Sequence, residues 1–119
     1  MEVLRSIALK KAASFNFSMI GGCASVELGY YNPKLKKYFN KEFIADNIEM
    51  LSTSGNVAWF ENSPVVHAHG VFSGEDHEAF GGHIVKMVIS LTGEVAIDWL
   101  SHKLIKKYDQ ETGLNLLSK

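Results

Sequence analysis

The chain has 119 residues, 46% of them hydrophobic and 21% charged, with a formal net charge of −1. That length suits one domain over residues 1–119, and that composition supports an ordinary core, which excludes a disordered chain or two domains of usual size. Twelve Lys+Arg face thirteen Asp+Glu and Arg5 is the one arginine, so a strongly cationic DNA-binding face and arginine reading of guanine are both poorly supplied.

Residues 2 to 15 read as an amphipathic helix, with Leu4, Ile7, Ala8, Ala12 and Phe15 recurring on one face. Glu2 opens it and Lys10-Lys11 stand near its end, each on the favourable side of the helix dipole. The apolar run Ile7 to Leu9 is cut by those lysines, too short for a secretory core. No stretch approaches the roughly 18–20 apolar residues of a membrane span. A cytoplasmic location without membrane contact is the expectation. Cys23 is the single cysteine, so no intrachain disulfide can form, in keeping with a reducing compartment. Its expected role is buried packing.

Strand patterns follow the helix. Phe17 to Cys23 runs into Gly21-Gly22, a predicted bend. Ser25 to Tyr31 alternates, Asn32-Pro33 turns the chain, and Lys36 to Phe43 returns as a hairpin partner. Ile48 to Phe60 is extended, with a predicted break or bulge at Ser54-Gly55-Asn56. Pro64 to Phe72 is a strand, and Ser73-Gly74-Glu75-Asp76 a turn. Ala79 to Leu91 follows, turning at Thr92-Gly93 so that Val95 to Leu100 returns, and Leu104 to Tyr108 adds a last strand before a polar tail. The fold class is therefore α+β, a mainly antiparallel sheet of about seven strands with one N-terminal flanking helix. Neither nucleotide fingerprint, G-x-G-x-x-G or the P-loop, is present.

The chemistry concentrates in histidines. His67 and His69 stand two apart in Pro64-Val65-Val66-His67-Ala68-His69, so both rings leave one face of a strand, about 7 Å apart, while Val66 and Ala68 face the other way. His83 opens the next strand after Gly81-Gly82, within cross-strand reach, and those glycines are expected to make room for the imidazoles or to form a bulge. Three neutral imidazoles suit zinc or another divalent metal, and three protein ligands with an open fourth position is the catalytic pattern. Hydrogen-bonded strand histidines without an ion are the alternative. His77 is read as surface or site rim, and His102 as surface. Glu49, Asp98 and the loop residue Glu78 are candidate carboxylates for moving a proton, should they face the histidines. The lysines at 34, 36, 37 and 41, and at 103, 106 and 107, read as a solvated face before a phosphate track. Trp59, Trp99, Phe60 and Phe72 read as core or subunit-interface residues.

The stretch Ile48-Glu49-Met50-Leu51-Ser52-Thr53-Ser54-Gly55-Asn56, then Pro64 to His69, then Gly81-Gly82-His83 resembles the plants-and-prokaryotes-conserved (PPC) domain. Gly21-Gly22 followed by Glu27-Leu28-Gly29-Tyr30-Tyr31, and the closing Tyr108-Asp109 through Thr112-Gly113-Leu114, add to the likeness. This domain follows the AT-hook in plant nuclear proteins and stands alone in many prokaryotes. The resemblance implies an antiparallel sheet with a flanking helix, a homotrimer, and association with DNA or transcription-associated proteins. It also carries the family's histidine motif onto His67, His69 and His83. Related folds with three histidines on zinc include decarboxylase and hydrolase enzymes, in which the ion polarises a carbonyl or activates water. Two departures stand out: the chain has no Arg-Gly-Arg-Pro hook, and it begins almost at the helix where the family usually opens with a strand, which is expected either to leave a sheet edge unpaired or to mark a shortened start. A trimeric binding module is thus the first expectation and a zinc enzyme on the same histidines the alternative.

Overall fold

The computed structural model describes residues 1–118. Its first element, α1, spans Glu2–Lys11 and stops four residues earlier than the periodicity predicts, because Ala12 turns left-handed (φ 48°) and its capping N–H reaches back to the Ala8 and Leu9 carbonyls. Phe15 is not the last apolar residue of the helix. It opens a strand in which Phe15, Phe17 and Met19 are buried and Asn16, Ser18 and Ile20 are exposed. Alternation at period two wins there over the helical spacing.

Four long antiparallel strands follow, β1 (Phe15–Asn32), β2 (Lys37–Phe60), β3 (Ser63–Ser73) and β4 (Ala79–Trp99), and they close in the order β1-β2-β3-β4 into a barrel. A two-stranded hairpin, β5 (Lys106–Asp109) and β6 (Leu114–Leu117), completes the described chain. The architecture is one helix with a mainly antiparallel sheet, as expected, but with six strands in place of about seven. The count falls because three predicted interruptions are strand interior. Ser54, Gly55 and Asn56 pair without a break to both β1 and β3. The irregularities in β2 lie instead between Ile44 and Ile48, opposite Ser25 and Cys23, and between Met50 and Thr53, opposite Gly21 and Met19. Thr92-Gly93 is likewise no turn: Gly93 pairs with Gly21 in the middle of the β1–β4 ladder. Gly21 adopts φ 138° there, and a Cβ on it would collide with the Thr92 carbonyl. Glycine signals that resemble turns therefore mark bulges and close backbone approaches. β6 is an addition, since the leucines of the polar-looking tail turn back on β5.

The core lines the barrel interior with Phe15, Val26, Val57 and Phe72, all fully buried, and α1 contributes Leu4 and Ala8. Trp59 is buried and donates its indole N–H to the Ala13 carbonyl at 3.2 Å. Trp99 is half-exposed, its ring edge-on to Phe15 at 5.1 Å. Cys23 packs inside, as expected, and burial, with Glu49 nearby, pushes its thiol up to about 11.

The barrel closes at one end only. β3 and β4 pair through five rungs, from Ser73↔Ala79 to His69↔His83. Beyond that rung β3 continues along β2 and β4 along β1, with no further pairing between them among the described residues. A groove of about 440 Å³ separates Met1–Arg5 of α1 from Val85–Ile89 of β4.

Candidate metal centre

Each histidine reaches the site through strand geometry. Along β3, Ala68 is buried and Val66 packs against the core, so His67 and His69 project outward. His69 lies directly across from His83, and Ile84, the next residue, turns into the core. The three rings thus stand on one outer face, with centroid separations of 5.2 Å (His67–His69), 5.3 Å (His67–His83) and 5.2 Å (His69–His83). One ring nitrogen from each lies within 4.8 Å of the other two. A tetrahedral ion with metal–nitrogen bonds of about 2.0–2.1 Å holds its donors about 3.3 Å apart, so modest ring rotations bring these nitrogens to bonding distance. The spacing expectation is met. The five-residue loop Gly74–Glu78 makes the connection.

The glycines before His83 act differently from the expectation. No bulge interrupts β3 and β4, where Gly81 pairs with Val71 and Gly82 with Gly70. A Cβ on Gly81 would strike the Gly70 carbonyl, whereas one on Gly82 would meet nothing closer than 3.6 Å. Gly81 permits a tight rung. Neither glycine clears room for an imidazole.

The electrostatics favour neutral rings. Partial burial holds His67 down at about 4, with Lys106 and then His83 and His69 adding repulsion. His83 is lowered by burial first, then by His69 and Lys106. Neutral imidazole is the form that ligates metal. His83 Nδ1 is buried without a hydrogen-bond partner among the described residues, as is Oδ1 of Asn56, the residue paired with His67 across the β2–β3 ladder. Orphaned polar atoms of this kind are uncommon in a finished interior and mark a place suited to an added ligand. The donor set, three imidazoles without carboxylate or thiolate, fits a divalent metal of the zinc type.

The carboxylate candidates are not brought to this cluster. Glu49 pairs with Ser73, four residues and roughly 13 Å along β3 from His69, and accepts a bond from Asn47 at 2.6 Å. Glu78 and His77 belong to the Gly74–Glu78 loop at that same far end, and His77 lines a separate hollow with Asp46, Glu49 and Asp76. Asp98 shares a cross-strand row with His67, but Asn16 of β1 and Asn56 of β2 lie between them. His102 is exposed beside Ser101. Several lysines also have local partners: Lys41 and Lys103 lie over the rings of Phe43 and Trp59, at 4.7 and 3.8 Å, and Lys36 donates to the Gln110 carbonyl at 2.9 Å.

Three neighbours of the cluster were not legible as such. Lys106 of β5, half-buried, acts electrostatically on His67 and His83 from a hairpin distant in sequence. The Tyr38 ring lies 5.5 Å from His83, in space left by the missing side chain of Gly29. Asn56 is the third, and its only sequence signal is its strand position opposite the H-x-H segment.

The family model for the Plants and Prokaryotes Conserved (PCC) domain matches residues 1–100. The chain belongs to this family. The motifs around Glu49, His67 and His83 therefore indicated its kinship correctly. Similar solved structures of the PCC fold include a candidate DNA-binding protein from Ralstonia eutropha JMP134, 26% identical with a TM-score of 0.91, over 99% of this chain and 82% of that one. The metal-containing protein of Archaeoglobus fulgidus is 26% identical with a TM-score of 0.87, over 99% of this chain and 84% of that one. A plant- and prokaryote-conserved protein from Pyrococcus horikoshii, 24% identical with a TM-score of 0.89, shares the fold over 99% of this chain and 82% of its own. No curated protein matches the sequence significantly. Among the described residues, no helix of this PCC domain is long and apolar enough to cross a membrane.

Proposed function

We propose that this PCC domain is a self-associating binding module that holds a divalent metal, of the zinc type, on His67, His69 and His83. The observation that carries the reading is the near-equilateral triangle of imidazoles, with donor atoms within 4.8 Å of one another. The similarity to a metal-containing protein of the same fold supports it. When bound, such an ion supplies Lewis-acid chemistry at an outward-facing site. The chain's own residues position it: β3 fixes two rings, the His69↔His83 rung fixes the third, and Asn56 stands opposite His67.

Self-association as a homotrimer is part of this reading. Its support is the apolar surface exposed on the strands, including Leu91 at 83% exposure, Ile44 at 75% and Ile20 at 55%. An association with DNA or transcription-associated proteins draws on the Ralstonia relative. With a net charge of −1 and a single arginine, this domain alone binds DNA weakly and salt-sensitively. A cytoplasmic location suits such a module.

The deciding experiment is metal analysis of the full chain purified without chelator, together with its mass in solution. The expected result is about one zinc or similar ion per chain, lost in His69→Ala, with a mass three times the 13.2 kDa of the protomer. Metal-free wild type, or a His69→Ala protein with full metal content, would remove the reading. A zinc enzyme of hydrolase or decarboxylase type on the same histidines is the second reading. The solvent-open side of the cluster favours it, but the carboxylates Glu49 and Glu78, its proton carriers, lie at the far end of β3.

A further inference from the structure

The histidine cluster has a flanking wall that carries a charge. β5 is moored at one end by the Trp59↔Ile105 bridge, where the Trp59 N–H donates to the Leu104 carbonyl at 2.8 Å. The far turn of the β5–β6 hairpin is moored to the β1–β2 turn. There Lys36 donates to the Gln110 carbonyl, and the Tyr31 hydroxyl donates to the Thr112 carbonyl. The hairpin thus spans from the end of β2 to the turn beside His83's other neighbour, Tyr38. Lys106 directly follows the Ile105 mooring, is half-buried, and bears with its charge on both His67 and His83.

An ammonium in that place needs an explanation. It is partly desolvated, and no carboxylate among the described residues offsets that burial. A cation beside a site for a dication is also repulsive, so Lys106 weakens the metal reading unless something negative stands between the two charges. The triad itself brings none, since an imidazole that ligates a metal carries no negative charge. An anion with two oxygens would resolve the conflict, offsetting the charge of a metal held by the three histidines and accepting a charge-assisted hydrogen bond from the ammonium.

We infer that Lys106, held by the β5–β6 hairpin beside His67, His69 and His83, forms an anion subsite that selects carboxylate-bearing ligands at the open side of the metal centre. The inference rests on the metal reading of the triad. It adds a residue outside the family-matched segment 1–100, and it names the ligand class.

The test uses the full chain loaded with cobalt(II), whose visible spectrum reports coordination, and acetate as the probe. Wild type binds cobalt, and acetate changes the spectrum. In Lys106→Met acetate binds roughly tenfold more weakly or worse, while cobalt binds at least as tightly because a repulsive neighbour is gone. Lys106→Arg keeps the acetate response. A residue that merely braced the hairpin would instead lower cobalt and acetate affinity together. That outcome, or equal acetate affinity in wild type and Lys106→Met, overturns the anion subsite and leaves the metal reading standing. A wild type that binds no cobalt overturns the metal reading, and this one with it.

Discussion

The surroundings of His67 and His83 favour their neutral, donor form, and for His67 this has a consequence for acid stability. His67 sits at about 4 in the folded chain, against about 6.5 for an unperturbed histidine. Its folded value is depressed, so the unfolded chain binds the proton more readily. In metal-free protein this contribution to stability is intact above pH 6.5 and is lost as pH falls from about 6.5 towards 4. Urea midpoints measured across that window should fall with pH, and His67→Asn should flatten the slope. A slope of equal size in the variant would assign it to other groups. The histidines were readable because a strand's period of two is a local rule, and His67 and His69 obey it without tertiary help. Lys106 and Tyr38 were not, because each comes to the cluster from a strand distant in the chain, Lys106 from β5 and Tyr38 from β2, which no local spacing encodes.

At the scale of elements, the site depends on a short ladder. Only five rungs join β3 to β4, and His69↔His83 is the last of them. Gly81 lets the strands approach where its Cβ would meet the Gly70 carbonyl. Gly81→Ala should therefore cost about 1–3 kcal/mol, and it should weaken metal binding by shifting His83 relative to His69. Parallel thermal unfolding and metal titration check both effects, and Gly82→Ala, where a Cβ makes only ordinary van der Waals contact, serves as the comparison. Glycine also explains why the strand count was read too high. Thr92-Gly93 and Ser54-Gly55-Asn56 carry the composition of turns, yet each lies inside a strand at a close backbone approach. Composition alone cannot separate these uses. Asn32-Pro33, by contrast, was correctly read as a turn, and there Asn32 Oδ1 accepts from the N–H groups of Lys34 and Leu35, both at 3.0 Å.

At the scale of the molecule, the extents of 42 × 37 × 17 Å describe a slab, and a slab of this size leaves apolar residues uncovered. β4 from Val85 onward pairs with β1 alone, and Val88, Ile89, Leu91 and Val95 are exposed along it. Further copies of the chain are the proposed cover. Leu91→Glu should then lower the solution mass to that of the protomer, and light scattering of wild type beside the variant would show it. An unchanged mass would place the contact elsewhere. The sequence disclosed apolar content but not its overflow, since exposure of this kind emerges only once the strands splay.

The last β3–β4 rung sits at a fork where two strands part company. An ion seated on His67, His69 and His83 would act there as a rivet, tying the stem of the fork to the first residues of one prong. Occupancy and the spread of the prongs then become a single thermodynamic variable, and whatever settles on the parted strands would be felt at the imidazoles as a change in grip.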